Sequence, residues 1–106
     1  MATKFVAVLV TCSSGKEARG IADSLLKKRL IACANIIGGV ESKFRWKGKP
    51  DSAREFLVIL KTVTRHLGAV EREVRRLHSY EVPEIVALPV VRGNKNYLNW
   101  IEGSVK

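Results

Sequence analysis

Cysteine is scarce in this chain of 106 residues. Cys12 and Cys33 are the only two, and neither belongs to a C-x-x-C pair. Their scarcity excludes a disulfide framework and fits a reducing compartment. A metal-carrier loop built on two neighbouring thiols is excluded as well, because Gly15 stands where the second cysteine would be. Long apolar runs are missing. The longest near the N-terminus, Phe5 to Val10, is too short for a membrane helix, and polar residues follow it without a small-residue cleavage site. A cytoplasmic location without a membrane partner is the expectation. Acidic residues are few, 10 against 19 Lys and Arg, which leaves a net charge of +9. Such a charge attracts polyanions. The positives are spread, however, over Lys27 to Arg29, Lys43 to Lys49, Arg72 to Arg76 and Arg92 to Lys95, with no run of five like charges. The spread favours a generally basic surface, so nucleic acid is not an expected partner.

What is present reads as a globular chain: apolar residues make up 46% and charged residues 27%. One domain over residues 1–106 is expected, because a chain of this length can support one core. Lys4 to Thr11 is a continuous apolar run and predicts a buried strand. Ser14 and Glu17 form a capping box for a helix with Ala18, Ile21, Ala22 and Leu25 on one face. An extended region from Ile31 to Trp46 follows, interrupted by Gly38-Gly39, which predicts a bulge or bend. Lys47 to Ser52 predicts a turn and Arg54 to Thr64 the return strand of a hairpin. Arg65 to His78 predicts a second helix on Leu67, Val70, Val74 and Leu77. Glu84 to Val91 predicts a fourth strand, with Pro89 marking a sheet edge. Asn96 is the candidate cap of a short last helix. The order βαββαβ plus a C-terminal helix is the ferredoxin-like α+β pattern with a long β2–β3 hairpin. The strands are apolar along nearly their whole length, which demands cover on both faces; a second subunit is the natural cover.

Five stretches go beyond element order. Leu30 to Ile37 resembles an L-A-A-C-x-N-I-I stretch, and Arg45 to Lys49 a Y-x-W-x-G-K turn. Leu60-Lys61-Thr62 matches an L-K-T strand end. His78 to Glu84 resembles H-P-Y-E-x-P-E, and Gly93 to Ile101 a G-N-x-x-Y-L-x-W motif. Together, in order, they resemble the CutA divalent-cation tolerance family. The resemblance implies a homotrimer with hairpins paired between subunits, similar to the PII signalling proteins, whose small-ligand sites lie between subunits. It implies binding of copper or another divalent cation, and no enzymatic activity. Ser79 departs from the family's proline, Lys47 from an often acidic position, and the strong basicity is unusual.

The metal candidates are Cys12, His78 and Glu81. Cys12 is read as lying in the turn that opens the first helix, where the helix N-terminus would lower the thiol pKa. Thiolate and imidazole suit copper and zinc, and the resemblance implies copper binding at the positions matching Cys12 and His78. Glu81 adds a carboxylate three residues after His78. Trp46, Lys61, Tyr80 and Glu84 are candidates for a ligand pocket between subunits. Cys33 is expected in the core, and Tyr97 and Trp100 as packing residues. An RNA-binding module shares the topology, but it needs exposed aromatics on the middle strands. Only Phe56 is offered there.

Overall fold

A computed structural model describes residues 3–106. Strand β1 spans Phe5–Cys12, helix α1 Gly15–Lys27, β2 Cys33–Trp46 and β3 Lys49–Val63. A 3-10 turn at Thr64–His66 leads into α2, Leu67–Leu77, followed by β4, Ile85–Pro89, and α3, Lys95–Ser104. The sheet order is β2-β3-β1-β4, and every neighbouring pair is antiparallel. This is the ferredoxin-like α+β arrangement that the hydrophobic periodicity predicts.

Alternation in burial sorts the apolar strands into two faces. Val6, Val8, Val10 and Cys12 of β1, with Val58 and Leu60 of β3, face inward. They pack with Ile21 and Leu25 of α1 and Val70 and Val74 of α2 into one core cluster. The opposite face has no helix over most of its width. Leu9, Ile37, Leu57, Ile59, Val86 and Leu88 share it by register, and Ile37, Val86 and Leu88 are each close to half exposed. Only its end is covered: Ile101 and Val105 pack on Val63 and Phe5.

Local chemistry fixes the ends of the elements. Ser14 caps α1, its hydroxyl accepting from the Glu17 amide at 3.1 Å. Glu73, 7% exposed, clamps the two helices together. It accepts from Arg76 at 2.8 and 2.9 Å and from Ser24, and Lys28 approaches at 2.9 Å. The Arg76 hydrogen bonds lead the effects that hold this carboxyl well below the usual carboxylate range.

Several boundaries differ from expectation, among them β4, which is Ile85–Pro89 rather than Glu84 to Val91. The hairpin turns at Lys47-Gly48 alone, and Pro50 lies inside β3, opposite Arg45. Pairing with β1 stops at Phe56, so β3 has a free edge at that height, where a residue lacking an N–H is tolerated. The second helix starts later, at Leu67, and His78 is its C-cap rather than its last residue. Asn94, not Asn96, caps α3, because only its side chain lies three residues before the Tyr97 amide that it accepts from. Cys33 is half-buried on the helix-free face instead of in the core, since Ala34 takes the inward position. The Gly38-Gly39 bulge is present as a register shift between Ile37 and Val40, with Gly39 at φ +72°.

The tight turn carries a testable strain. Lys47 and Gly48 both have positive φ, 51° and 78°, as a two-residue turn matched to strand twist requires. An ordinary side chain held there costs about 1–2 kcal/mol, and asparagine tolerates the conformation. Lys47→Asn is therefore expected to stabilise the protein by ~0.5–1 kcal/mol, raising the thermal midpoint by about 2–6 °C at matched concentration. An unchanged midpoint in a thermal melt would show that the turn stores no such strain.

Candidate functional site

Three elements converge at one end of the sheet. Strand β1 ends on Cys12, α1 begins three residues beyond, and α2 is capped by His78. Cys12 points to the inward face and is fully buried. Glu17, in the first turn of α1, points back towards it. One ligand atom from each of Cys12, Glu17 and His78 lies within 4.8 Å of the other two.

Each of the three is held differently. The His78 side chain is completely buried. Its Nε2 lies 2.7 Å from the Thr11 carbonyl, which can only accept, so Nε2 carries the hydrogen. Its Nδ1 accepts from the Tyr80 amide at 3.1 Å. Glu17 Oε2 accepts from the Ser79 amide at 2.8 Å. Glu17 Oε1 is buried without a hydrogen-bond partner among the described residues and lies 3.7 Å from His78 Nδ1. Burial pushes the Cys12 thiol up to about 11, helped by the charges of Glu17 and Glu55. This reverses the lowered thiol pKa expected for the turn. Cys12 is the last residue of the strand, outside the helix's first turn, where the dipole has faded. It therefore feels desolvation and two carboxylates instead.

The carboxylate of the cluster is Glu17, not Glu81. Glu81 is exposed, follows the turn after α2 and lies along a neighbouring cavity. The sequence signal for Glu17 was its place in the capping box. Its amide does bond Ser14, but its side chain accepts from the Ser79 amide rather than closing the box.

The neighbouring cavity, about 870 Å³, lies between the β2–β3 hairpin and the loop from Ser79 to Glu84. Trp46, Tyr80, Glu81 and Glu84 are all on its wall. Tyr80 joins it to the cluster: its hydroxyl donates to Glu55 Oε2 at 2.7 Å, and its ring lies 4.8 Å from that of His78. Burial, then Glu55, pushes the Tyr80 phenol up to about 12. Lys61 is not part of this cavity. It sits further along β3, about 20 Å from Glu55, with its ammonium 5.7 Å from the Tyr97 ring centre. Tyr97 and Trp100 pair with each other and remain 40% and 48% exposed.

The helix-free face offers little to nucleic acid bases. Phe56 faces inward, since it pairs with Cys12. Phe5, the only other aromatic on the central strands, packs under α3. Among the described residues no helix is long and apolar enough to cross a membrane.

The fold and the site together define a ferredoxin-like α+β protein with a buried thiol–carboxylate–imidazole group and an open apolar sheet face. The chain belongs to the CutA1 divalent ion tolerance protein family, which matches residues 6–104. It is 45% identical over 94 residues to the divalent-cation tolerance protein CutA of Thermus thermophilus, covering 89% of this chain and 91% of that one. It is 43% identical to mouse Protein CutA, where the match covers 90% of this chain but only 54% of the mouse protein. The fold superposes on the solved Thermus thermophilus protein with a TM-score of 0.94 at 41% identity, over 96% of this chain and 99% of that one. The periplasmic CutA of Archaeoglobus fulgidus gives 0.93 at 41% identity, over the same shares.

Proposed function

We propose that this protein is a homotrimeric, non-enzymatic binder of copper or a similar divalent cation, held by Cys12, His78 and Glu17. The reading rests on one observation above the others: Glu17 Oε1 is a buried carboxylate oxygen without a hydrogen-bond partner among the described residues, facing an imidazole and a thiol. A buried charge in that state is costly unless a cation compensates it. Sulfur, imidazole nitrogen and carboxylate oxygen form a donor set for copper or zinc. The residues fit such an ion with two adjustments. The thiol must give up its proton, which a bound metal promotes. His78 must exchange the Tyr80 amide for the ion at Nδ1. The family's name points to the same cation role.

The trimer is supported by the open face, whose apolar residues call for cover. Small-ligand sensing in the manner of the PII proteins, through a site closed by assembly, fits the cavity beside the cluster. The cytoplasm is the proposed compartment. The names of relatives include chloroplastic and periplasmic forms, so compartment varies within the family while the fold does not.

Calorimetric titration with Zn²⁺ and with copper tests the site. The native protein is expected to bind with at least roughly 10-fold higher affinity than Cys12→Ser or Glu17→Gln. Equal affinity in all three would remove these residues from metal binding.

A further inference from the structure

We infer that the outer face of the α1–α2 layer is a docking surface for the phosphate backbone of duplex DNA, held by charge and not by base recognition. This goes beyond the metal reading and uses none of its three ligands.

The fold undoes part of the dispersal of charge seen in the sequence. Lys27 to Arg29 and Arg72 to Arg76 are separate clusters along the chain. Helices α1 and α2 bring them together on Glu73: Lys28 Nζ and Arg76 Nη2 lie 2.9 and 2.8 Å from the same Oε2. Glu73 is withdrawn from water, while its two cations remain about half exposed. One buried carboxylate between two exposed cations leaves a surplus positive charge at the helix seam.

The surplus extends over the whole layer. In residues 15–29 and 67–77 all eight Lys and Arg are exposed, but only two carboxylates are, Asp23 and Glu71. Lys27, Arg72 and Arg75 take part in no ion pair among the described residues. Arg72 and Arg76 are four residues apart on one helix, where like charges repel. The helix dipole accounts for cations in a last turn; Arg72 lies in the middle of α2. The exposure does not depend on the chain being alone. Both helices lie on the side of the sheet opposite to the apolar face that the proposed trimer covers.

What the two helices lack selects the polyanion. Neither contains an aromatic residue, Asn, Gln or Thr. Aromatics stack the bases of single strands and anchor interfacial helices in a bilayer. Amide side chains read base edges. The one hydroxyl, on Ser24, is engaged by Glu73, which leaves no small polar group for a ribose 2′-hydroxyl. Arg and Lys remain, and they contact phosphates without regard to sequence. Five of the eight are Arg, whose planar fork fits a phosphate. Duplex DNA presents that group densely, with about one charge per 1.7 Å of axis.

The test is fluorescence anisotropy of a labelled, random-sequence DNA duplex titrated with the native protein in chelator, which separates this surface from the metal reading. Affinity is expected to fall roughly 100-fold between about 50 and 200 mM salt, as about four phosphate contacts require. The double variant Arg72→Gln, Arg75→Gln leaves the Glu73 clamp intact. It is expected to bind at least ~10-fold more weakly at about 50 mM salt, with the salt-driven fall reduced to roughly 10-fold. Arg92→Gln with Lys95→Gln removes the same charge outside the helical layer and is expected to change affinity less than about 2-fold. Equal losses in the two double variants would overturn the inference, because net charge alone would then bind the duplex. Absence of duplex binding at about 50 mM salt would overturn it too. So would tighter binding of duplex RNA or of the single strand, or adsorption to phosphatidylserine vesicles without duplex binding.

Discussion

Ile59→Asp is expected to convert the proposed trimer into folded monomers. Ile59 lies on β3, an inner strand, opposite Leu9 on one side and Asn35 on the other. It is on the helix-free face and only half-buried in the single chain. A carboxylate there still reaches water in a monomer, so the fold tolerates it. Enclosed against the apolar faces of two other copies, the same carboxylate costs several kcal/mol per site, on the order of the penalty for a buried unpaired charge. Three such sites exceed what a small interface supplies. Sedimentation or light scattering should report a mass one-third of the native assembly, with unchanged secondary structure by circular dichroism. Leu26→Asp is the matched control: Leu26 is 41% exposed but lies on α1, on the other side of the sheet. An Ile59→Asp protein that stays assembled at micromolar concentration would show that the open face is not the contact.

His78→Ala is expected to destabilise the protein by ~3 kcal/mol in the presence of chelator, before any question of metal arises. The imidazole is fully buried and engaged at both nitrogens, to the Thr11 carbonyl and the Tyr80 amide. Its removal leaves a cavity, an orphaned carbonyl on β1 and an orphaned amide in the loop. For a chain of this length the thermal midpoint should fall by roughly 10–20 °C. A loss under about 0.5 kcal/mol would mean that water replaces both bonds without penalty. The expected loss also dictates the design of the metal titration. Alanine at His78 would confuse a missing ligand with a loosened site, whereas Cys12→Ser and Glu17→Gln change the donor atoms at nearly constant shape.

Much of this architecture was legible in the sequence, for reasons that also mark the limits. The apolar run at Phe5–Cys12 could only be a strand covered on both sides, and the stripe at Ala18, Ile21, Ala22 and Leu25 fixed the helix face that covers one of them. Gly38-Gly39 announced a bulge because glycine there has a conformational purpose. Side-chain direction was less accessible. Periodicity could not say that Cys12 ends its strand facing inward, and a one-residue difference exchanged a helix-activated thiol for a desolvated one. Cys33 was misplaced by the same parity. Glu17 was visible as a cap residue, but its bond to the Ser79 amide crosses 62 positions of the chain. Lys61 and Trp46 share a motif-rich hairpin, yet strand rise carries them to opposite ends of it.

The hairpin has one more consequence. Beyond Phe56, β3 loses β1 as a neighbour, and the ribbon from Val40 to Glu55 continues as two strands alone. Two strands without a third are marginal in water. In an isolated chain this arm would fluctuate; ordering it would fall to the moment of association. Trimer formation would then be partly a folding reaction, with an entropic penalty and a negative heat-capacity change larger than rigid docking of the sheet faces would give. Dilution would loosen the arm before it touched the core, and with it the cavity wall that carries Phe44 and Trp46.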